Sequence, residues 1–232
     1  MAWSLPGRSA IKVGICIATK GSVSLEWAFA FGQVLTATGM PIALYAEGHF
    51  EIDYARNDLV DMARKDGCSH VMFLDSDIFP YKWNDKGEPS PFPDFIRFLL
   101  YQEYPIVSGL YWLKRGTSNL VVATGDEYAP KVLTGEAKEF RNHTIFVDAV
   151  AIGCCLIDIR VFDKVPYPWF NYQRANKRAA DGSWPEISED YYFFYKARRA
   201  GFPVMVQGTL MCVHEGRVFH TWGGDAGMRL PS

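Results

Sequence analysis

The stretch "FLDSDIF" sets two carboxylates, Asp75 and Asp77, one residue apart and directly behind the apolar residues 71–74. Two such charges repel each other. A divalent cation relieves that repulsion, because Mg2+ and Mn2+ favour oxygen ligands and are commonly held by one or two carboxylates together with substrate phosphates. The competing reading is a surface turn in which either aspartate caps local backbone N–H groups. A second acidic pair, Glu189 and Asp190, opens the segment "EDYYFFYKARRAG" behind Ser188, a plausible helix N-cap. Acids in a first helical turn meet the helix dipole favourably, which accounts for them without chemistry. A carboxylate aimed from a helix start into a cleft also suits a general base for a hydroxyl nucleophile. His214, in "MCVHEG", ends an apolar run; a neutral imidazole there is either a hydrogen-bonded structural residue or a further metal ligand.

These groups need a scaffold, and the chain alternates strand-like and helix-like stretches ahead of them. "KVGICIAT" (12–19) is β-rich. Residues 22–39 begin with candidate serine caps, carry apolar positions at helical spacing and stop at Gly39. "PIALYAE" (41–47) reads as a second strand and "DYARNDLVDMARKDG" (53–67) as a helix with Asp53 as candidate cap and Gly67 as terminator. "SHVMFLD" (69–75) is then a third strand, so the aspartates fall at a strand's carboxyl end after two βα units, the edge where open α/β sheets bind ligands. Farther on, residues 93–103 read as a helix with Pro93 in its first turn, residues 105–113 as a strand, and "CCLIDIRVFDKV" as a strand running into a short helix. Residues 115–143 give only short β-like pieces. Residues 171–188 are polar and without period, which predicts a long loop.

Composition bounds the partners. The chain has 232 residues and is 49% hydrophobic, enough for one sizeable core. With 24 basic and 26 acidic residues it carries no general field for nucleic acid or an anionic membrane, so an anionic ligand must be met by local chemistry. The N-terminal stretch fits neither a signal peptide nor a membrane span, which makes a cytoplasmic location the default expectation. Five cysteines scattered without CxxC spacing read as buried free thiols.

In order and spacing these stretches resemble the GT-A type of nucleotide-sugar glycosyltransferase, in particular the broad family 2-like group. "FLDSDIF" resembles its DxD element, "VDAVAIGCCLIDIRVFDKV" its acceptor-side segment, "SEDYYFFYKARRAGF" its ED element and "CVHEG" its late histidine, with "IATKG" and "YARNDLV" ahead of them. The resemblance covers most of residues 11–216. It implies a single α/β domain over 1–232 with a mostly parallel central sheet flanked by helices and a smaller antiparallel acceptor-side sheet. Residues 11–113 would form the nucleotide-sugar half, 114–216 the acceptor and catalytic half, and 217–232 a tail. It further implies that Asp77 and His214 bind Mn2+ or Mg2+ directly, with Asp75 on the ribose or in the metal shell. Asp190 would be the base for an acceptor hydroxyl, with Glu189 as the alternative. Thr19, Lys20, Arg56 and Ser76 would face the nucleotide, and Gly153 would let backbone approach a sugar. The partners implied are a nucleoside-diphosphate sugar and a glycan or other hydroxyl acceptor.

Two further groups acquire roles from this frame. Arg174, Lys177, Arg178 and Trp184 in the 171–188 loop would close over a diphosphate, or else sit in a solvated connection, and Trp184 is the candidate to stack on a sugar face. Rival readings are a phosphatase-like hydrolase with an aspartyl nucleophile, a sugar-nucleotide-forming transferase, and a non-catalytic glycan- or nucleotide-binding module. The first places its DxD on the first strand rather than the third, and the second needs a glycine-rich phosphate loop that "IATKGSVS" does not supply.

Overall fold

The β-branched and apolar run after Lys12 forms β1 (Val13–Ala18), and Ser24 then caps α1 (Leu25–Ala37), its Oγ accepting from Trp27 N at 3.1 Å. Next come β2 (Ile42–Glu47), α2 (Ile52–Lys65) and β3 (His70–Leu74). The middle of the chain supplies β4 (Ile78–Trp83), β5 (Pro89–Pro91), α3 (Phe95–Leu100), β6 (Ile106–Leu110), β7 (Asn119–Thr124), β8 (Lys131–Thr134) and α4 (Ala137–Phe140). The remainder supplies β9 (Thr144–Val147), β10 (Ala149–Val150), β11 (Cys154–Asp158), α5 (Ile159–Lys164), β12 (Gln173–Arg174), β13 (Glu186–Ile187), α6 (Glu189–Arg199) and β14 (Val204–His214). This computed structural model describes residues 11–19, 21–48, 51–84, 86–112, 119–125, 130–135, 137–174 and 186–215.

Among the described residues nine strands form one sheet in the order β2-β1-β3-β11-β6-β14-β4-β5, with β9 also paired to β14. β1 is parallel to β2 and β3, and β6 is parallel to β14. β11 runs antiparallel between β3 and β6, and β4 antiparallel beside β14. Following those directions, β1, β2, β3, β6 and β14 all point the same way. Their carboxyl ends therefore share one edge with the amino ends of β11 and β4. The expected parallel arrangement holds for strand direction, while the pairing is mixed. β7, β8 and β10 form a small antiparallel sheet, and β12 and β13 a two-stranded ladder. β11 and β14, from the half expected to be acceptor-side, lie inside the central sheet, beside strands from the half expected to hold the nucleotide.

Side-chain alternation along the strands assigns the two faces. Cys16, Phe73, Cys155 and Ile157 pack with α2, α5 and α6, through residues such as Leu59, Phe162 and Phe193. Ile15, Met72 and Leu156 pack with α1 and α3, through Trp27, Phe31 and Phe95. Gly14 lets α2 come close: a Cβ there would stand 3.0 Å from both Ala63 Cβ and Tyr45 Cε2. The five cysteines are free and buried, as their spacing predicts. No helix among the described residues is long and apolar enough to cross a membrane.

Two helix starts differ from the sequence reading, and a third keeps its expected cap residue without the cap bond. α2 begins at Ile52 behind Glu51, so Asp53 lies within the first turn, where its Oδ1 accepts from Tyr54 N at 3.0 Å. α3 begins at Phe95 behind Asp94, leaving Pro93 just outside. Ser188 occupies the N-cap position of α6 but makes no cap bond, because its hydroxyl is drawn to Asp190. Gly39, Gly67 and Gly201 do end their helices, at φ of +57°, +68° and +90°.

One side chain ties α2 to the segment entering the 171–188 loop. Buried Asn57 donates through Nδ2 to Asp53 O at 2.7 Å and Phe170 O at 2.8 Å, and its Oδ1 accepts from Trp169 N at 2.9 Å and Phe170 N at 3.2 Å. Asn57→Leu keeps the volume and orphans these backbone groups, so it should cost about 2–3 kcal/mol. Urea unfolding measures this; a loss below about 0.5 kcal/mol, the ordinary surface value, would contradict the role.

Candidate functional site

The shared edge of the sheet collects the chemistry. β3 ends at Leu74, and the chain turns at once: Ile78 N donates to Asp75 O at 3.1 Å, closing a turn with Ser76 and Asp77 at its centre. Asp75 N donates to Gly153 O at 2.9 Å, which seats the turn on the amino end of β11. Tyr111 follows β6, and His214 closes β14 in register with Ile78. Glu215 N donates to Asp77 O at 2.6 Å, so the histidine strand is zipped to the DxD turn.

α2 reaches the same place through Arg56, which is 3% exposed. Its Nη1 pairs with Glu189 Oε1, and its Nη2 stands 3.5 Å from Asp75 Oδ1. Tyr172 adds a hydroxyl bond to Glu189. Asp190 uses Oδ1 locally, accepting from the Ser188 hydroxyl and from Tyr191 N at 2.7 Å. The DxD turn, the ED helix, β14 and α2 thus converge on one acidic cluster.

Gly153 is placed by contact rather than by turn geometry. A Cβ on it would lie 2.7 Å from Asp75 Oδ2 and 2.9 Å from the Tyr111 hydroxyl. The open side expected to receive a sugar is occupied here by these two side chains. Tyr111 is buried, and its hydroxyl accepts from Gly153 N at 2.8 Å. Its ring meets the His214 imidazole edge to face, with centroids 5.1 Å apart. His214 Nδ1 stands 2.8 Å from Trp112 O, so in the neutral ring Nδ1 carries the proton and Nε2 the lone pair.

Electrostatics follow from this crowding. Burial raises the Asp75 carboxyl above the ordinary aspartate range; Arg56 opposes the shift, Asp77 and Asp190 add to it, and His214 opposes it weakly. Burial likewise raises Glu189, against Arg56 and with Asp190. Burial alone would lower Arg56, yet Asp75, Glu189 and Asp190 together push it up and keep it charged. Tyr111 is driven well above its usual value by burial and then by Asp75 and Asp190, so it stays protonated.

Of the residues singled out in the sequence, Arg56, Asp75, Asp77, Gly153, Glu189, Asp190 and His214 come together, and Ser76 lies half-buried in the DxD turn. Thr19 is spent in its own turn, its Oγ1 donating to Ser22 O and accepting from Gly21 N, both at 3.3 Å. Lys20, Lys177, Arg178, Trp184 and the tail 217–232 lie outside the described residues. Sequence reasoning missed Tyr111 and read Tyr172 only as one of several aromatics that could stack on a sugar face. The first directly follows the apolar run of β6, and its signal would have been an aromatic hydroxyl at the same strand edge as the DxD. The second sits among several loop aromatics.

An oxygen-rich set with one imidazole is the donor chemistry a hard divalent cation takes. Asp75 and Glu189 share Arg56 as a counter-charge, and Asp190 adds negative charge beside both. The residue types therefore fit Mn2+ or Mg2+. Among the described residues, however, no three histidine, cysteine, aspartate or glutamate side chains are already arranged to hold a metal ion.

Neither protein-family models nor curated protein sequences match this chain. Solved structures do match its fold. One is the crystal structure of A197 from STIV, with a TM-score of 0.55 at 19% identity over 96% of this chain and 98% of that one. The likeness supports the mixed α/β architecture and says nothing of the site.

The raised Asp75 carboxyl has a consequence for stability. Its folded pKa exceeds its unfolded one, so keeping it charged costs stability above the ordinary aspartate value of about 4, increasingly as pH rises through the folded pKa. Asp75→Asn should thus raise Tm at pH 8, with the gain vanishing below about pH 4. Thermal unfolding across pH reads this directly; an Asn variant less stable at pH 8 than at pH 4, relative to wild type, would refute the charge-strain account.

Proposed function

We propose that the chain is a metal-dependent glycosyltransferase that moves a sugar from a nucleoside-diphosphate sugar to an acceptor hydroxyl. The observation that carries this reading is the convergence of the DxD turn, the ED helix start and the late histidine on one edge of the sheet. Three elements distant in sequence have no shared structural need to bring carboxylates together, and such strain is typical of sites shaped by function.

The residues divide the work. Asp77 and His214 would hold Mn2+ or Mg2+, with Asp75 beside them, and that cation would neutralise the charge that develops on the departing diphosphate. Asp190 is the better base. Glu189 is committed to Arg56, whereas Asp190 spends one oxygen on Ser188 and Tyr191 and keeps Oδ2 out of those bonds. It takes the proton of the acceptor hydroxyl while the acceptor oxygen bonds to the sugar's anomeric carbon and that carbon's bond to the diphosphate oxygen breaks. The Ser188 and Tyr191 contacts fix the carboxylate's direction, so it needs no reorganisation in the transition state. Tyr111 keeps its proton and braces Gly153, which holds Asp75 against β11. The nucleotide-facing role of Ser76, the cytoplasmic setting and the loop's closure over the diphosphate belong to the same proposal.

A thermal-shift panel of UDP-, GDP-, CDP- and TDP-sugars with and without Mn2+ tests it, because a ligand that binds the folded state stabilises it by mass action. One sugar nucleotide should stabilise the chain only with the cation present. Asp77→Ala should lose that stabilisation. Asp190→Asn should retain it and lose transfer by about 10²- to 10⁴-fold. No stabilisation by any member of the panel, or equal loss of donor binding in both variants, would sink the assignment.

A further inference from the structure

We infer that the outer face of α1 is an interface for a second copy of this chain, in which the two α1 helices pack antiparallel and Phe29 of each copy fills the notch at Gly32 of the other. The inference stands apart from the sugar-transfer reading, because it uses none of the site residues.

A helix lying on a sheet ordinarily carries one apolar seam and turns polar residues to water. α1 carries two seams. The inner one is Trp27, Phe31, Val34 and Thr38, all buried. The outer one, Leu25, Phe29, Gly32 and Thr36, repeats the same 4-3-4 spacing two residues earlier, which is about 200° around the helix and hence its opposite side. Leu25 and Phe29 are each 69% exposed. The Thr36 hydroxyl donates to Gln33 O at 2.9 Å, so its polar atom is met within the helix. Glu26 is the one charged residue of α1, which contains neither lysine nor arginine.

Gly32 indicates what covers this seam. A Cβ at that position would meet nothing within 4 Å, so packing inside the chain does not call for a glycine, and glycine in a helix interior is less stable than alanine. On an apolar face a missing side chain admits the close approach of another helix, and 4-3-4 spacing is the seam by which helices pair. A helix that lies on a lipid surface instead sets lysine or arginine beside its apolar face and gains nothing from a notch. Phe29 stands one turn before Gly32, so the face holds a knob and a hole that match themselves under a two-fold axis, the rule for contacts between identical chains. Antiparallel packing with Phe29 on the partner's Gly32 sets Leu25 against Thr36 and leaves the two Glu26 carboxylates about 13 Å apart along the axis, beyond the screening length of about 8 Å. Parallel packing would put them side by side. Leu25, Phe29 and the flanking Leu35 would withdraw about 400 Å2 per copy, which makes a weak, reversible dimer. The pairing helix is also the one seated where the DxD turn ends, since Trp27 Nε1 donates to Ile78 O at 3.1 Å.

Sedimentation equilibrium of the full chain reads the dimer directly. Wild type should pass from monomer to dimer between about 1 and 100 μM. Phe29→Glu should weaken dimerisation by about a hundredfold, and because Phe29 lies outside the core its unfolding midpoint should stay near wild type. Gly32→Ala closes the notch and should weaken dimerisation about tenfold, while the monomer's Tm holds or rises because alanine favours the helix. The five native cysteines are buried, so introduced ones report the register. Oxidising a mixture of Leu25→Cys and Thr36→Cys proteins should cross-link one to the other, and neither protein alone to itself. Wild type that stays monomeric at 100 μM, a dimer indifferent to both Phe29→Glu and Gly32→Ala, or self-cross-linking of Leu25→Cys alone would each overturn the proposal. Monomeric wild type that floats with phosphatidylcholine vesicles, and ceases to in Phe29→Glu, would assign the face to a lipid surface and overturn it as well.

Discussion

One buried guanidinium that faces two carboxylates, Asp75 and Glu189, is the constraint around which this cluster is organised. Placing Arg56 under α2 brings Glu189 at the start of α6 against the turn that follows β3, two segments 114 residues apart in the chain. Arg56 is the counter-charge that Asp75 and Glu189 share. Burial and Arg56 therefore pull in opposite directions at Asp75, the first against its charge and the second for it.

The sheet supplies the place where this can happen. Because β11 runs against its neighbours, it brings the amino end of one strand to the edge where β3, β6 and β14 present their carboxyl ends. A turn, a glycine, a tyrosine and a histidine then meet without a long loop between them. The close seat of Asp75 against Gly153 depends on this reversal, since a parallel strand in that position would put its carboxyl end there instead.

Much of this was readable in the residues. Ser24, Gly39 and Gly67 announced the first helices, and the alternation of β1 and β3 announced which side chains face which layer. Caps and periodicities are local, and local physics writes them into short stretches. The Arg56–Glu189 pair was not readable, because both are polar helix residues whose ordinary place is solvent, and only the packing of α2 against α6 makes them partners. Tyr111 looked like one more apolar position. The reversed β11 was also hidden, since a buried strand has the same apolar pattern whichever way it runs. Asn57 escaped notice for a related reason: its four bonds go to backbone, which carries no sequence signature. Asp53 and Pro93 show the opposite error, where a good local signal was right about the helix and off by one or two residues about its start.

β14 is the last strand of the described chain, yet it lies in the interior of the sheet, between β6 and β4, and also borders β9. On the ribosome, then, β4 and β6 must wait with unpaired edges until a segment made about a hundred residues later slides between them. Long-range pairing of this kind is slow and leaves strands exposed to wrong partners. The same order of events leaves the acidic turn untied during synthesis: until β14 is drawn in, the turn after β3 lacks the bond from Glu215 N to Asp77 O that fixes it to the last strand.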